Sequence, residues 1–223
     1  AGSARRKLVI TDGVFSMEGD LANLPVITEL ARRYGALVAV DDSHAHGVVG
    51  RTGRGTPEHF GVPVDIVTGT LGKALGGAAG GFIAGPGPVV ELMTQRSRPQ
   101  LFSNALSPAT AGGALAALRV LRREPTRVGN LQENAAYFRA GLRKLGYRVV
   151  DSPSAIVPII VGETALAQRL AARMLERSVL ITGFGFPVVP EGTARLRAQV
   201  SSQHTRNHLD AALEAFAAVK PPA

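Results

Sequence analysis

The chain has 223 residues, of which 45% are hydrophobic and 19% charged, and this balance indicates a folded globular protein and not a disordered one. It contains no cysteine, which excludes disulfides, thiolate metal sites and a cysteine nucleophile and fits a cytoplasmic location. The net charge of +8 comes from scattered basic residues, and this distribution favours a solvated basic surface or an anionic small-molecule partner over nucleic acid. No apolar run is long enough to cross a membrane.

The first half of the chain predicts strands alternating with helical or glycine-rich segments. KLVITDGVF predicts a strand that ends at Asp12, and LANLPVITELARRYG predicts a helix between Pro25 and Gly35. ALVAVDD, VDIVTGTLG and GGFIAG predict three more strands, with the continuous apolar character of strands buried on both faces. The pattern predicts an α/β fold with a mainly parallel sheet, whose ligand site lies at the carboxyl ends of the strands.

The second half has a different pattern. After Pro108, PATAGGALAALRVLRR and VGNLQENAAYFRAGLRKLG predict two helices. YRVV, AIVPIIVG, VLITGF and ARLRAQVS predict strands, and ETALAQRLAARMLERS and HTRNHLDAALEAFAAV predict helices. We therefore predict a large α/β domain over residues 1–107, and a linking helix with a small α+β domain over residues 108–223.

Four ionisable side chains crowd together in VAVDDSHAHGVVG, at the end of a predicted strand. One interpretation is a metal site built on the pair His44 and His46, which point the same way on an extended segment. The other histidines are His59, His204 and His208. The last two have the i, i+4 spacing of a metalloprotease pair on a helix, but the glutamate that accompanies such a pair is missing. A hydrogen-bonded turn with one buried histidine is a second interpretation.

A third interpretation pairs Asp41 and His44 with a lysine from another strand end. Lys73 is the sole charged residue between Val67 and Gly81, a stretch of small and apolar residues. Such surroundings predict a confined lysine with a lowered pKa and a nucleophilic amine, suited to a Schiff base with a carbonyl cofactor such as pyridoxal phosphate (PLP). A carboxylate on the neighbouring strand end would keep the pyridine nitrogen protonated.

Five separated segments make the third interpretation more specific. DDSHAHG, followed by TGTLGKALGG with Lys73 32 residues after Asp41, resembles the α-oxoamine synthase family of fold-type I PLP-dependent enzymes, whose fold is aspartate aminotransferase-like. TDGVFSMEGDLANLP, DIVTGTLGKALGGAAGGFIAG, QRSRPQLFSNALSPA and TGFGFPVVPEGTARLRAQVS are similar to the glycine C-acetyltransferases of that family. The similarity runs along essentially all 223 residues.

The resemblance implies a role in cofactor binding for five residues. Lys73 would hold PLP as a Schiff base and act in catalysis, and Asp41 would pair with the pyridine nitrogen. His44 and Ser16 would donate hydrogen bonds to the ring hydroxyl. Thr70 would bind the phosphate. Lys73, Asp41 and His44 are the predicted catalytic residues.

The resemblance also implies contacts beyond one cofactor pocket. Phe102 and Ser103 would reach the phosphate of the cofactor bound to the other subunit, so the active site would be shared in a homodimer. Arg197 would hold the substrate carboxylate, for which a bidentate guanidinium is well suited. The family assigns no role to His46, and no metal is expected.

The activity that the resemblance implies is condensation of glycine with acetyl-CoA to 2-amino-3-ketobutyrate and CoA, with the reverse reaction serving threonine breakdown. Two alternatives within the family are reactions of the 8-amino-7-oxononanoate synthase and 5-aminolevulinate synthase types. A non-catalytic fragment of the PLP fold and a metallohydrolase using the histidine pair are alternatives of other classes.

The family pattern includes an upstream portion that these residues do not contain. It carries a residue that stacks on the PLP ring and a glycine-rich phosphate loop. Because Ala1 is not a methionine and a strand begins at Leu8, we expect an N-terminally truncated chain. Residues 1–107 would then be the C-terminal part of the PLP-binding large domain, and the isolated chain would be inactive or weakly active.

Overall fold

The computed structural model describes residues 4–76 and 79–220. Gly77 and Ala78, which belong to the predicted lysine segment, lie outside the described residues. The chain forms two compact units: the first takes in the residues up to Phe15 and Leu21–Val128, and the second takes in Ser16–Asp20 and the residues from Gly129 onward. The domain boundary predicted after residue 107 stays a prediction.

The first unit contains a four-stranded sheet, which confirms the four strands predicted there. In spatial order, its strands are β1 (Leu8–Asp12), β2 (Leu37–Asp41), β3 (Ile66–Thr70) and β4 (Gly81–Ala84). The β1–β2 and β2–β3 pairings are parallel, whereas β3 and β4 are antiparallel. The connection from β3 to β4 spans only residues 71–80, too short for the crossover that a parallel pair requires.

The helix predicted before the second strand is confirmed as α1 (Leu24–Tyr34). The Asn23 side chain accepts a hydrogen bond from the backbone N–H of Val26 at its start, and Gly35 ends it in the left-handed conformation at φ 61°. One face of α1 packs on β2, and the shared core consists of Ala22, Leu24, Ala31, Val38 and Val40. Helix α1 thereby covers one face of the sheet.

Four more helices lie within the first unit: α2 (Thr56–Phe60), α3 (Gly87–Arg96), α4 (Arg98–Phe102) and α5 (Pro108–Arg123). Only α5 follows from the sequence patterns. Helix α2 is five residues long and lies in a glycine-rich stretch, and no residue of α3 or α4 is buried. Without a buried face, a helix carries no apolar stripe from which to predict it.

The second unit is an α+β structure, as predicted. Its sheet has the spatial order β5-β6-β8-β7 with every pairing antiparallel, and its strands are β5 (Arg148–Val149), β6 (Ile156–Gly162), β7 (Thr182–Phe184) and β8 (Ala194–Gln199). Its helices are α6 (Thr126–Lys144), which begins in the last residues of the first unit, α7 (Thr164–Leu175) and α8 (Arg206–Val219). In the part of the chain that the structure describes, no helix combines the length and apolar character needed to span a bilayer.

An aromatic cluster forms part of the core of the second unit. Phe216 on α8 has no exposed surface, and its ring meets Phe138 and Tyr147 edge to face, with ring centroids 6.1 and 5.3 Å away. The Tyr147 hydroxyl donates to the Phe216 carbonyl at 2.9 Å. This packing joins α8 to α6 and to the segment that precedes β5.

Replacing Phe216 with alanine is therefore expected to lower the free energy of unfolding by about 3–5 kcal/mol, because it removes a fully buried ring and leaves a cavity. Leu180, which is 86% exposed, provides the control, and Leu180→Ala should cost about 0.5 kcal/mol or less. Denaturant unfolding of both variants measures the difference. Equal losses in the two variants would contradict the assignment of Phe216 to the core.

Candidate active site

The carboxyl ends of β2 and β3 lie side by side at one edge of the first sheet. In the β2–β3 register, Asp41 pairs with Thr68. Past the end of β2, Asp42 donates from its backbone N–H to the Thr68 carbonyl at 2.9 Å. The chain then turns, and Ala45 and His46 donate from their backbone N–H groups back to the Asp42 carbonyl at 2.9 and 3.0 Å. This turn carries the acidic and histidine side chains of DDSHAH.

Lys73 lies in the turn that follows β3 and meets the turn that follows β2. Its Nζ is 3.0 Å from Nε2 of His44. The sequence predicted that the two segments would converge, and they do. It also predicted a confined lysine, and this prediction is wrong in the described residues, because the Lys73 side chain is exposed.

Asp41 is held in the ionised form. Burial by itself raises the pKa of Asp41, but hydrogen bonds from Ser43 and Thr68 and the charge of Lys73 outweigh burial and hold the pKa below its ordinary value. One of these bonds runs from the Ser43 backbone N–H to Oδ1 of Asp41 at 2.8 Å. The carboxylate is therefore available to hold a positively charged partner at neutral pH.

Asp42 has an opposite environment and a structural role. It is fully buried, and its carboxylate accepts hydrogen bonds from the backbone N–H and the hydroxyl of Thr56 at 2.8 and 2.7 Å. Gly13 and Gly55 leave room for this carboxylate, since a Cβ at either position would overlap with it. Burial raises the pKa of Asp42, and the bonds from Thr56 only partly oppose this. Asp42 therefore ties the turn that bears His44 to the first turn of α2.

His46 is packed against Phe82 and Gly69. Its ring lies 5.2 Å from the Phe82 ring, and a Cβ at Gly69 would approach its Nδ1 to 2.6 Å. Burial lowers the pKa of His46, and its buried Nδ1 has no hydrogen-bond partner in the described residues. Over residues 4–76 and 79–220, no group of three or more histidine, cysteine, aspartate or glutamate side chains could hold a metal ion.

The residues predicted to contact phosphate have less direct support. The Thr70 hydroxyl donates to the Gly80 carbonyl at 3.1 Å and accepts from the Gly72 N–H at 3.2 Å, so it is engaged in the turn. Phe102, at the end of α4, is 74% exposed. Ser103 ends the same helix and is also exposed. Their roles stay predictions.

Ser16 and Arg197 both belong to the second unit, where they are in contact. Arg197 donates from Nη1 to the Ser16 carbonyl at 2.8 Å, and its guanidinium lies 4.8 Å from the centre of the Phe184 ring. The side chain is half-buried, burial lowers the pKa of Arg197, and no carboxylate pairs with it among the described residues. A half-buried guanidinium without a counter-charge suits an incoming carboxylate.

Several residues that support these groups were not identified from the sequence: Asp42 and Thr56 behind the His44 turn, and Glu18, Phe184 and Arg195 around Arg197. The segment ARLR was the one available signal for Arg195, because alternate residues of a strand share a face.

The chain is similar to known proteins along most of its length. Residues 1–216 match the family model described as aminotransferase class I and II. The chain belongs to this family. The match confirms the predicted fold class, that of the fold-type I, aspartate aminotransferase-like enzymes.

Two curated relatives are similar to this chain along nearly its whole length. The chain is 46% identical to an 8-amino-7-oxononanoate synthase of Symbiobacterium thermophilum over 98% of its length, and 48% identical to the human mitochondrial 2-amino-3-ketobutyrate coenzyme A ligase over 96%. These alignments cover 56% and 52% of the two relatives, so the chain spans about half the length of the curated relatives it matches.

A solved structure shares the fold. A lysine-to-alanine variant of the serine palmitoyltransferase of S. paucimobilis, solved with a bound PLP–myriocin aldimine, superposes with a TM-score of 0.90 at 31% sequence identity. The superposition covers 96% of this chain and 55% of that chain.

Asp41→Asn tests whether the folded protein holds this carboxylate in the charged form. The test compares the stability of parent and variant at different pH values. Because the folded protein holds the pKa of Asp41 below its ordinary value of 3.8, ionised Asp41 stabilises the fold above that pH, and the stabilisation is lost as the pH falls through the lower, folded pKa. The difference in unfolding free energy between parent and variant should be largest near neutral pH and shrink below about pH 3.8.

Denaturant unfolding at a series of pH values measures this difference. Asp12→Asn is the matched control, since Asp12 ends the neighbouring strand and is exposed. A difference for Asp41→Asn that does not change with pH would show that the carboxylate is not held in its charged form.

Proposed function

We propose that the chain is part of a PLP-dependent acyltransferase that condenses glycine with acetyl-CoA. The observation that carries this proposal is the meeting of Lys73 and His44, 3.0 Å apart, beside a carboxylate held in the charged form. The family match and the relatives named above support it. The PLP bound by the serine palmitoyltransferase supports the cofactor.

The groups at the sheet edge fit PLP. Lys73 is exposed and offers a primary amine to a carbonyl, and charged Asp41 suits a protonated pyridine nitrogen. His44 would donate to the ring hydroxyl, and Thr70 would donate to the phosphate once its hydroxyl leaves Gly80. By the family resemblance, Ser16 of the second unit would be a second donor to the ring hydroxyl. The chemistry of this donor set matches the functional groups of the cofactor.

The proposed mechanism assigns one task to each group. PLP, when bound, supplies an electron sink next to the substrate Cα. Asp41 keeps a proton on the pyridine nitrogen. The Nζ amine of Lys73 accepts the proton that leaves the glycine Cα, which makes Lys73 the general base. Arg197 holds the glycine carboxylate through paired N–H donors.

The acyl transfer forms one carbon–carbon bond and breaks one carbon–sulfur bond. The glycine Cα forms a bond to the acetyl carbonyl carbon as the bond to the CoA sulfur breaks, giving 2-amino-3-ketobutyrate and CoA. The name of the human relative supports these substrates, and the net charge of +8 suits the anionic CoA. In the reverse direction the same groups would cleave 2-amino-3-ketobutyrate, a step of threonine breakdown.

Two further features belong to this proposal. We propose a homodimer, in which Phe102 and Ser103 of one subunit approach the cofactor phosphate of the other; their exposure supports it. The cytoplasmic location and the low activity expected of the isolated chain stay predictions.

A second candidate is an 8-amino-7-oxononanoate synthase-like reaction. The observation that favours it is the 46% identity to the Symbiobacterium thermophilum synthase over 98% of the chain. Both candidates use the same lysine and aspartate and differ in the acyl-CoA and amino acid.

Borohydride reduction in the presence of PLP tests the cofactor assignment. We expect peptide mass spectrometry to find the reduced cofactor on Lys73, and Lys73→Ala to lose both this label and the yellow colour of the protein. Lys144→Ala is the matched control, because Lys144 lies at the end of α6 in the second unit, and this variant should keep both. Label on Lys144 in place of Lys73 would overturn the assignment.

A panel of acyl-CoA substrates separates the candidate reactions. Release of CoA from acetyl-CoA should require glycine and exceed release from longer acyl-CoAs. Preference for a long acyl-CoA with another amino acid would favour the second candidate. Labelling of Lys73 without any acyl transfer would fit both the low activity expected of the isolated chain and the non-catalytic PLP-fold alternative.

A further inference from the structure

Residues Ser16–Asp20 form a short segment of the second unit, although the residues on either side of it belong to the first. We name this segment the strap. Strand β8 holds its first residues: Arg197 donates to the Ser16 carbonyl at 2.8 Å, and Arg195 donates to the Met17 carbonyl at 3.2 Å. The two arginines are alternate residues of β8 and therefore extend from the same face.

The far end of the strap is anchored separately, at Gly19. The Gly19 carbonyl accepts hydrogen bonds from the hydroxyls of Ser152 and Ser154, the latter at 2.7 Å. Gly19 has a φ of 71°, and a Cβ there would approach the Ile156 carbonyl oxygen to 2.9 Å. Glycine is therefore required at this position, both for the backbone conformation and for the close approach. The strap is fixed at both ends.

Arg195 forms an ion pair with the middle of the strap. It is 4% exposed, and its Nη1 lies 2.9 Å from Oε1 of Glu18, while its Nε donates to the Thr193 carbonyl at 3.1 Å. A guanidinium buried to this degree requires a counter-charge and satisfied N–H groups. Glu18 provides the charge, and the Met17 and Thr193 carbonyls accept further N–H groups. The charge of Arg195 is thus neutralised by the strap, and its N–H groups have acceptors in the strap and at Thr193.

Arg197 is held by a hydrogen bond and an aromatic contact, and it has no ion-pair partner among the described residues. Of its five N–H donors, Nη1 supplies one to Ser16, and one face of the guanidinium covers the Phe184 ring. The hydrogen bond sets the distance of the guanidinium from the strap, and the Phe184 ring restrains it from one side. Its orientation therefore depends on where the strap is held.

We infer that Glu18 and Arg195 are positioning residues for a carboxylate-binding site at Arg197. The Glu18–Arg195 ion pair holds the strap on β8, and the strap in turn presents the Ser16 carbonyl that aims the Arg197 guanidinium. In this role Glu18 and Arg195 act through Arg197 and not by direct contact with the substrate. The identity of the substrate carboxylate rests on the proposed function, whereas the control of Arg197 by the ion pair does not.

Glu18→Gln tests the inference, because it removes the charge and keeps the size of a side chain that is 45% exposed. In protein labelled with ¹⁵N-arginine, relaxation of the Arg197 Nε–H, assigned with Arg197→Lys, reports the order of the guanidinium. We expect that order to fall in Glu18→Gln. In the PLP-loaded protein, the glycine dissociation constant, measured from the change in cofactor absorbance, should rise about tenfold, as for loss of one charge-assisted hydrogen bond.

Two further variants make the test specific. Glu18→Asp keeps the charge and should restore most of the order and the affinity. Glu191→Gln removes an exposed glutamate that precedes β8 and should change neither quantity. Glycine is titrated at saturating PLP in every variant, because the strap also carries Ser16, a proposed donor to the cofactor.

The outcomes separate this inference from the proposed function. Unchanged order of Arg197 in Glu18→Gln would overturn the positioning role, whether or not glycine binds. Loss of order together with a parent protein whose cofactor absorbance does not respond to glycine would leave the positioning role standing and overturn the proposed substrate.

Discussion

The parallel pairing of β1, β2 and β3 is the constraint on which the candidate active site depends. Parallel strands end at the same edge of a sheet, so residues that follow β2 and β3 are neighbours although the sequence separates them. The β2–β3 register sets Asp41 opposite Thr68, and the two turns beyond it bring His44 to Lys73. A shift of this register by one residue would reverse the face of every side chain.

The turn after β2 combines two adjacent aspartates with opposite functions. Asp41 is half-buried, and its neighbours favour the charged form, which suits interaction with a cation. Asp42 is fully buried, where a carboxylate is costly, and the two hydrogen bonds from Thr56 offset part of that cost. The buried carboxylate restrains the turn and the start of α2 together. A destabilising group thus contributes to the rigidity that a site needs.

Arg195 and Arg197 show the same division on one strand. Identical side chains two residues apart differ because Arg195 has a carboxylate partner and backbone acceptors, whereas Arg197 has one carbonyl and an aromatic ring. The carboxylate partner of Arg195 neutralises the charge of its guanidinium. The guanidinium of Arg197 has no counter-ion among the described residues. Only the second is suited to an exchangeable anionic ligand.

The sequence by itself determined the strands, the longer helices and the convergence of Asp41, His44 and Lys73 near one sheet edge, because apolar periodicity and parallel topology are local or nearly local properties. It did not predict α2–α4, since helices with little or no buried surface carry no apolar stripe. Only the tertiary structure decided the exposure of Lys73, the burial of Asp42, the packing of His46 against Phe82, and the different partners of the two arginines. The physical reason is that solvation and pairing of a charge depend on groups distant in sequence, such as Thr56 for Asp42 and Glu18 for Arg195.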